Sequence, residues 1–411
     1  MGRVFSHLHT ERPGRRGTDD DCGCCPGCTP PFPPSEAPPV PSAIQPATQA
    51  SPLPYTPSAE KPGPDEARLF EELAETMLSI SARTFEDSGH ADRSVHAKSH
   101  GLLIGRLDVL DDLPAELAQG LFARAESYPA ILRLSTTPGD ILPDSVSTPR
   151  GLAVKVLGVS GDRLPGSEDE ATQDFVMANA PVFSAPDAGQ FLSTLKLLAA
   201  TTDRAETAKK VLSAGLRAAE RVVEAFGGES ATLKTLGGHP ETHILGETFY
   251  SQAALRHGDH IAKLSIVPVS PELTALAGAP LSVNGKPNGL RDAVVEFFRD
   301  HEAVWELRAQ LRTDEARMPV EDASVLWPED LSPYRTIARI TVPPQTAWSE
   351  ERSRAGDDRL SFSPWHGLAA HRPLGSIMRA RRIAYDRSAA FRMERNGCPM
   401  REPATGYRLP G

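Results

Sequence analysis

The sequence predicts an α+β chain with a strand-rich centre, helical insertions and a helical C-terminus. Three observations predict it. Short apolar or alternating runs between Pro, Gly and Asp clusters fill the middle of the chain. Segments with three- and four-residue apolar spacing flank and interrupt them. Hydrophobic residues make up 39 % and charged ones 24 %, the balance of a chain with a sizeable core.

The first 64 residues stand apart. Of the 38 prolines, 15 lie between Pro13 and Pro64, among Ser, Thr, Ala and Gly. Such a segment has too little apolar surface to offset the entropy of ordering, so 1–64 reads as a disordered or extended tail. Four of the five cysteines sit in it, at Cys22, Cys24, Cys25 and Cys28. They read either as soft ligands for Zn or Cu(I) or as reduced thiols in a flexible tail. No second ligand pair accompanies them. The spacing Met1-Gly2 to Ser6 fits a short myristoylation pattern. There is no apolar run of signal-peptide length and none of the ~18–20 residues that a membrane-spanning helix needs, so the expected location is cytoplasmic. The net charge of −10 argues against a nucleic-acid partner.

From residue 65 the elements follow in order. Leu69, Phe70, Leu73, Met77 and Ile80 recur at helical spacing, predicting a helix over 65–85. Strand patterns cover 94–109, 130–135, 152–159, 249–255, 260–268 and 336–342. Helical spacing returns over 187–200 and 204–226, the latter stopped by Gly227-Gly228. A helix over 292–311 is expected from Val294, Phe297, Phe298, Val304, Trp305 and Leu311. The last helix is expected over 373–395, closed by Asn396-Gly397. One domain therefore spans 65–395, with a short tail at 396–411.

On the last helix Arg381, Tyr385 and Arg392 lie at i, i+4 and i+11, within roughly 40° of one another at ~100° per residue. An arginine one turn from a tyrosine can hold a phenolate, an anionic ligand suited to ferric iron. The same spacing also suits a core tyrosine beside a surface arginine. In Arg93-Ser94-Val95-His96-Ala97-Lys98, read as an extended strand, Ser94, His96 and Lys98 share a face. His96 there is either a general base on the inner face of a barrel or a solvent-facing histidine. His100 shares its face, so a two-histidine metal site also fits the spacing, without a third ligand. Two further segments, 131–140 with 149–155 and 173–183, each read as a strand and its turn.

Taken in order, these segments match a family. The chain resembles the haem catalase superfamily, whose pattern runs through an Arg-x-x-His-Ala-Lys strand, an Arg-Phe-Ser-Thr strand, an Arg-Gly-hydrophobic-Ala-x-Lys turn, an Asn-Asn-Thr-Pro-x-Phe segment and Arg-x-x-x-Tyr on a helix. The matching residues here run from Arg93 to Arg392, and the likeness is strongest to the shorter catalase-related haem proteins, which include peroxidases and allene oxide synthases. The resemblance implies an antiparallel β-barrel core with helical insertions and a C-terminal helix carrying the haem ligand. It implies haem b as cofactor, Tyr385 as axial ligand with Arg381 behind it, and His96 as distal histidine oriented by Ser135. It further implies Arg93, Arg133 and Arg392 as anchors for the haem propionates, and Val95 and Phe191 against the porphyrin. Ala178 stands where the family has its distal asparagine, and Asn179 matches the second of that pair, the remaining candidate for a distal amide. Phe183-Ser184, Ser99-His100 and Asp386-Arg387-Ser388 also depart from the family pattern.

The implied activity is that of a catalase-like haem peroxidase acting on hydrogen peroxide or an organic, including lipid, hydroperoxide. A hydroperoxide isomerase or dehydratase of allene oxide synthase type is the alternative, as is a haem-binding protein without turnover. An oligomer is compatible with the family.

Overall fold

Among the described residues, nine strands form one antiparallel sheet that curls until its ends meet. The computed structural model describes residues 50–137, 139–199 and 240–411. All of them belong to one unit, Gln49–Gly411. The cysteines at 22–28 and the helix expected over 204–226 lie outside the described residues.

The strands are β1 (Lys98–Val109), β2 (Ser127–Thr136), β3 (Arg150–Leu157), β4 (Thr172–Ala178), β5 (Phe249–Tyr250), β6 (Leu255–His257), β7 (His260–Pro268), β8 (Ala303–Leu311) and β9 (Arg335–Val342). Their order is β5-β4-β3-β2-β1-β9-β8-β7-β6, and β5 also pairs with β7, so eight strands close a ring and β6 hangs on β7. At this strand number the interior is filled by side chains. Leu103, Leu132, Val154, Leu264, Trp305 and Ile340 fill it, all buried. Because side chains alternate along a strand, the neighbours of these residues face outward. On β2, Leu132 and Leu134 point into the core while Ile131 packs outside with Leu102, Leu360 and Phe362. Arg133 and Ser135 share the parity of Ile131, which sets them on the outer wall.

Helices cover part of that wall. They are α1 (Glu66–Ser88), α2 (Ala188–Ala199), α3 (Pro271–Thr274), α4 (Gly289–Asp300), α5 (Glu350–Arg359) and α6 (Ser376–Asn396). Phe70, Leu73 and Met77 of α1 pack with Leu192 and Leu195 of α2 and with Ala380 and Ala384 of α6. The left-handed Gly89 and Gly397 end α1 and α6; the sequence predicts the second stop, while α1 runs past its expected end at 85 to Ser88. Among the described residues no helix is long and apolar enough to cross a membrane.

Four expectations are corrected. The helix expected over 292–311 stops at Asp300, and β8 follows. Ala303, Trp305, Leu307 and Ala309 are buried in alternation with partly exposed Val304, Glu306 and Arg308, a two-residue period that the helical spacing of Val294 and Phe298 masked. The strand expected over 249–255 is broken by Gln252 at φ 62°. The extended segment expected at 94–97 does not form; His96 sits at φ 55° and β1 starts at Lys98. Finally, the two ends join the fold. Leu53 N donates to Arg312 O at 2.8 Å and Tyr55 N to Asp259 O at 2.7 Å. At the other end Tyr407 and Leu409 pack on the outer-wall cluster of Leu102 and Phe362.

Candidate active site

The cleft lies between the outer wall of the barrel and α6, and about 620 Å³ of empty space there includes its mouth open to solvent. Tyr385, Ala384, Ser388 and Arg392 of α6 form one side, with Met77 of α1. Val95, His96, Arg133, Ser135, Gly151 and Val176 contribute to the other. Two locks fix α6. Arg379 pairs with Glu60, Glu66 and Glu321 at 2.6–2.9 Å, and Trp365 Nε1 donates to Met378 O at 2.8 Å. From this fixed helix Arg381 reaches one turn along, and its Nη2 donates to Tyr385 Oη at 2.7 Å.

His96 lines the same cleft as the tyrosine, half-buried and left-handed. Its Nδ1 pairs with Ser135 Oγ and its Nε2 with Thr137 Oγ1, each at 3.2 Å. Arg133 fixes the backbone beneath it, with Nη1 donating to His96 O and Nη2 to Ala97 O, both at 3.0 Å. Gly151 leaves room for the ring; a Cβ there would lie 2.6 Å from its Nδ1. Burial, and then the positive charges of Arg133, Arg381 and Arg93, push the imidazole down to about 3, so it is a neutral base at physiological pH.

Three guanidinium groups gather at one end. Arg93 Nη1 donates to Asp357 Oδ1 at 2.5 Å, and Arg133 Nε donates to the same oxygen at 2.9 Å. Arg392 Nη1 donates to Asp357 O. Burial and the mutual repulsion of the arginines lower Arg93 well below its usual value and Arg392 to about 10. Burial alone would raise the Asp357 carboxyl, but Arg133 and Arg93 outweigh it and hold it low. Arg392 Nε is buried without a hydrogen-bond partner. An anionic group entering the cleft would meet it.

The structure thus brings His96, Ser135, Arg93, Arg133, Val95, Tyr385 and Arg392 to one cleft, with Arg381 on the Tyr385 hydroxyl. Asn179 is not brought there. Its Oδ1 accepts from Arg150 N at 2.9 Å and its Nδ2 donates to Glu247 at 3.0 Å. Ala178 pairs in the sheet with Gly151 and Tyr250 and offers no side-chain donor. Phe191 packs on Phe183, ring centroids 5.0 Å apart, in the cluster of α1, α2 and α6 and outside the cleft lining. The His96–His100 pair does not assemble. A register shift between Ser99 and Gly101 turns His100 inward, where its Nε2 meets Thr136 Oγ1 at 3.0 Å. Sequence reasoning missed Thr137 and Asp357. Thr137 follows the Ser135 motif directly, so its place beside the histidine is a readable signal. Asp357 carries none.

No protein-family model matches the sequence, and no curated protein does. Solved structures do match. A fungal catalase superposes with a TM-score of 0.53 at 20 % identity, over 77 % of this chain and 62 % of its own. Catalase A from Saccharomyces cerevisiae gives 0.51 at 19 %, over 76 % and 63 %. A bacterial catalase gives 0.51 at 15 %, over 83 % and 63 %. The chain therefore spans under two thirds of the length of these proteins. Its eight-stranded antiparallel barrel, with α6 laid across the outer wall, is a catalase fold.

Proposed function

We infer that this chain is a haem-dependent, peroxide-metabolising oxidoreductase of the peroxidase type, with organic hydroperoxides used relatively better than hydrogen peroxide. The observation that carries the reading is that His96 and Tyr385 line one cleft together with Arg93, Arg133 and Arg392, the last two buried. The donor set fits haem b. Tyr385 offers an oxygen that accepts a hydrogen bond from the Arg381 guanidinium at 2.7 Å. The buried, unpartnered Arg392 Nε and the guanidinium groups of Arg93 and Arg133 suit two propionates. Val95, Leu152, Ala153, Val176 and Phe362 supply apolar contact.

When bound, haem supplies the iron that takes the hydroperoxide and draws electrons from its O–O bond. His96 moves the proton. Its neutral imidazole would accept the proton of the hydroperoxide at Nε2 and return it to the departing oxygen, while Thr137 and Ser135 hold the ring in place. Arg381 holds the Tyr385 oxygen in place by its hydrogen bond. Tyr385, Arg93, Arg133 and Arg392 would hold the haem, as the resemblance to catalases implies.

The preference among peroxides rests on Ala178 and Asn179. Hydrogen peroxide has few handles, and its placement over iron relies on a second polar donor near the histidine. Ala178 supplies none, and the Asn179 amide is engaged by Arg150 and Glu247. An alkyl hydroperoxide can instead be held by its apolar part along the lining of the cleft. Steady-state rates with hydrogen peroxide and with cumene hydroperoxide, measured on the haem-loaded protein, test this. The expected kcat/KM favours the organic peroxide; rapid oxygen evolution from hydrogen peroxide without such a preference contradicts it.

A further inference from the structure

We propose that Asp357 is the positioning residue of this cleft, acting from behind the arginines to fix the loop that carries His96. It does not line the cleft; Arg93, Arg133 and Arg392 do. Asp357 lies on α5, where Ser353 Oγ, one turn earlier, donates to its Oδ2 at 2.8 Å. The other oxygen, Oδ1, takes Arg93 Nη1 and Arg133 Nε. The neighbouring backbone completes the receptor. Gly356 O and Leu360 O each accept from Arg93 Nη2 at 2.9 Å, and Asp357 O accepts from Arg392. One short stretch of chain, 356–360, therefore aims all three guanidinium groups.

The stretch is itself rigid. Gly356 packs so closely on β1 that a Cβ there would fall 2.4 Å from Leu102 Cδ2. Arg352 ties the same helix to Leu102 O at 3.0 Å and to Pro410 O at 2.7 Å. The chain of contacts then runs from α5 through Asp357 to Arg133, and from Arg133 to the carbonyls of His96 and Ala97. A left-handed residue such as His96 persists only where its surroundings hold it, and Arg133 is the group that grips its carbonyl. The anion end of the cleft and the base are thus aligned by one carboxylate.

The proposal deepens the functional reading above, but its first test needs no haem. Hydrogen–deuterium exchange is measured on the full chain without haem, comparing Asp357→Asn, Asp357→Glu and Ser353→Ala with the parent. Asp357→Asn is expected to speed exchange over 93–98 by at least ~10-fold, the factor carried by a charge-assisted hydrogen bond, with β7 and β8 unchanged. Ser353→Ala should move the same segment less, and Asp357→Glu should restore much of the protection. If Asp357→Asn fails to fold, Ser353→Ala carries the test. No change over 93–98, or an equal rise throughout the barrel, overturns the proposal. A second arm uses the haem-loaded protein: hydrogen cyanide must surrender its proton to bind, so Asp357→Asn should slow cyanide association and Asp357→Glu should recover it. Equal rates in all three would also overturn the proposal. A parent chain that takes up no haem defeats the functional reading and leaves the exchange result standing.

Discussion

At the residue scale the chemistry depends on a histidine kept neutral. Burial and three nearby arginines move His96 from 6.5 to about 3. It is therefore uncharged, with one ring nitrogen free to accept a proton when substrate arrives, and the usual loss of a histidine base near 6.5 is absent. Turnover is expected to stay level as pH falls through 6.5, with its histidine-dependent limb near 3; a pH–rate profile checks this, and an acid limb near 6.5 contradicts it. His96→Ala should cost about 10²–10⁴ in turnover, the usual contribution of a placed acid–base group. Residues of this kind were legible through the ordered motifs that resemble those of haem catalases: Arg93, His96, Arg133, Ser135, Tyr385 and Arg392 line one cleft, with Arg381 on the Tyr385 hydroxyl. Asp357 was not, because it meets Arg133 across 224 residues of sequence and stands in a charged run with no motif. Asn179 misled for the opposite reason: a motif position was kept while the strand around it aimed the amide at Arg150.

At the scale of elements, periodicity served where one face of an element is buried and failed at junctions. The shift from α4 to β8 is invisible to a helical template because Phe297, Phe298, Val304 and Trp305 satisfy both periods over so short a span. Helix α5 escaped notice because Glu350–Arg359 has no apolar stripe at all; contacts of Gly356, Arg352 and Asp357 hold it in place. The C-terminal segment shows the same dependence on tertiary contacts. Lys155, fully buried on β3, pairs with Asp174 at 2.8 Å and with Glu402 at 2.5 Å, and His366 lies 3.3 Å from Glu402. Removing one partner strands a buried charge, so Glu402→Gln should destabilise the fold by about 3–5 kcal/mol in chemical denaturation. Burial alone would lower His366, but Asp174 and Glu402 raise it to about 10. Its protonation therefore stabilises the fold fully below 6.5, and that stabilisation is lost as pH rises from 6.5 through about 10. Melting temperatures should fall less steeply over this window in His366→Gln than in the parent; parallel curves would contradict the assignment.

At the scale of the whole molecule, the resemblance to catalases yielded the barrel and the terminal helix, and residues outside the expected domain, such as Leu53 and Tyr407, pack against it. Composition alone put the boundary at residue 64, since Pro-rich chain cannot build a core of its own. It can still pair with an existing one, as Leu53 and Tyr55 do, and Glu60 binds both Arg372, at 3.0 Å, and Arg379, at 2.7 Å. A chain beginning at Gln49 should therefore melt like the full sequence, whereas one beginning at Asp65 should melt lower and hold α6 less firmly; equal melting of the two would return the boundary to 64. The central claim is that α6 presents Tyr385 as a ligand to haem iron, facing His96. The most direct measurement is the optical titration of the purified chain with haem, alongside Tyr385→Phe. The account predicts one haem per chain with a ferric tyrosinate spectrum, and little or no specific binding in the variant. Haem bound with the same ferric spectrum after Tyr385→Phe would contradict it.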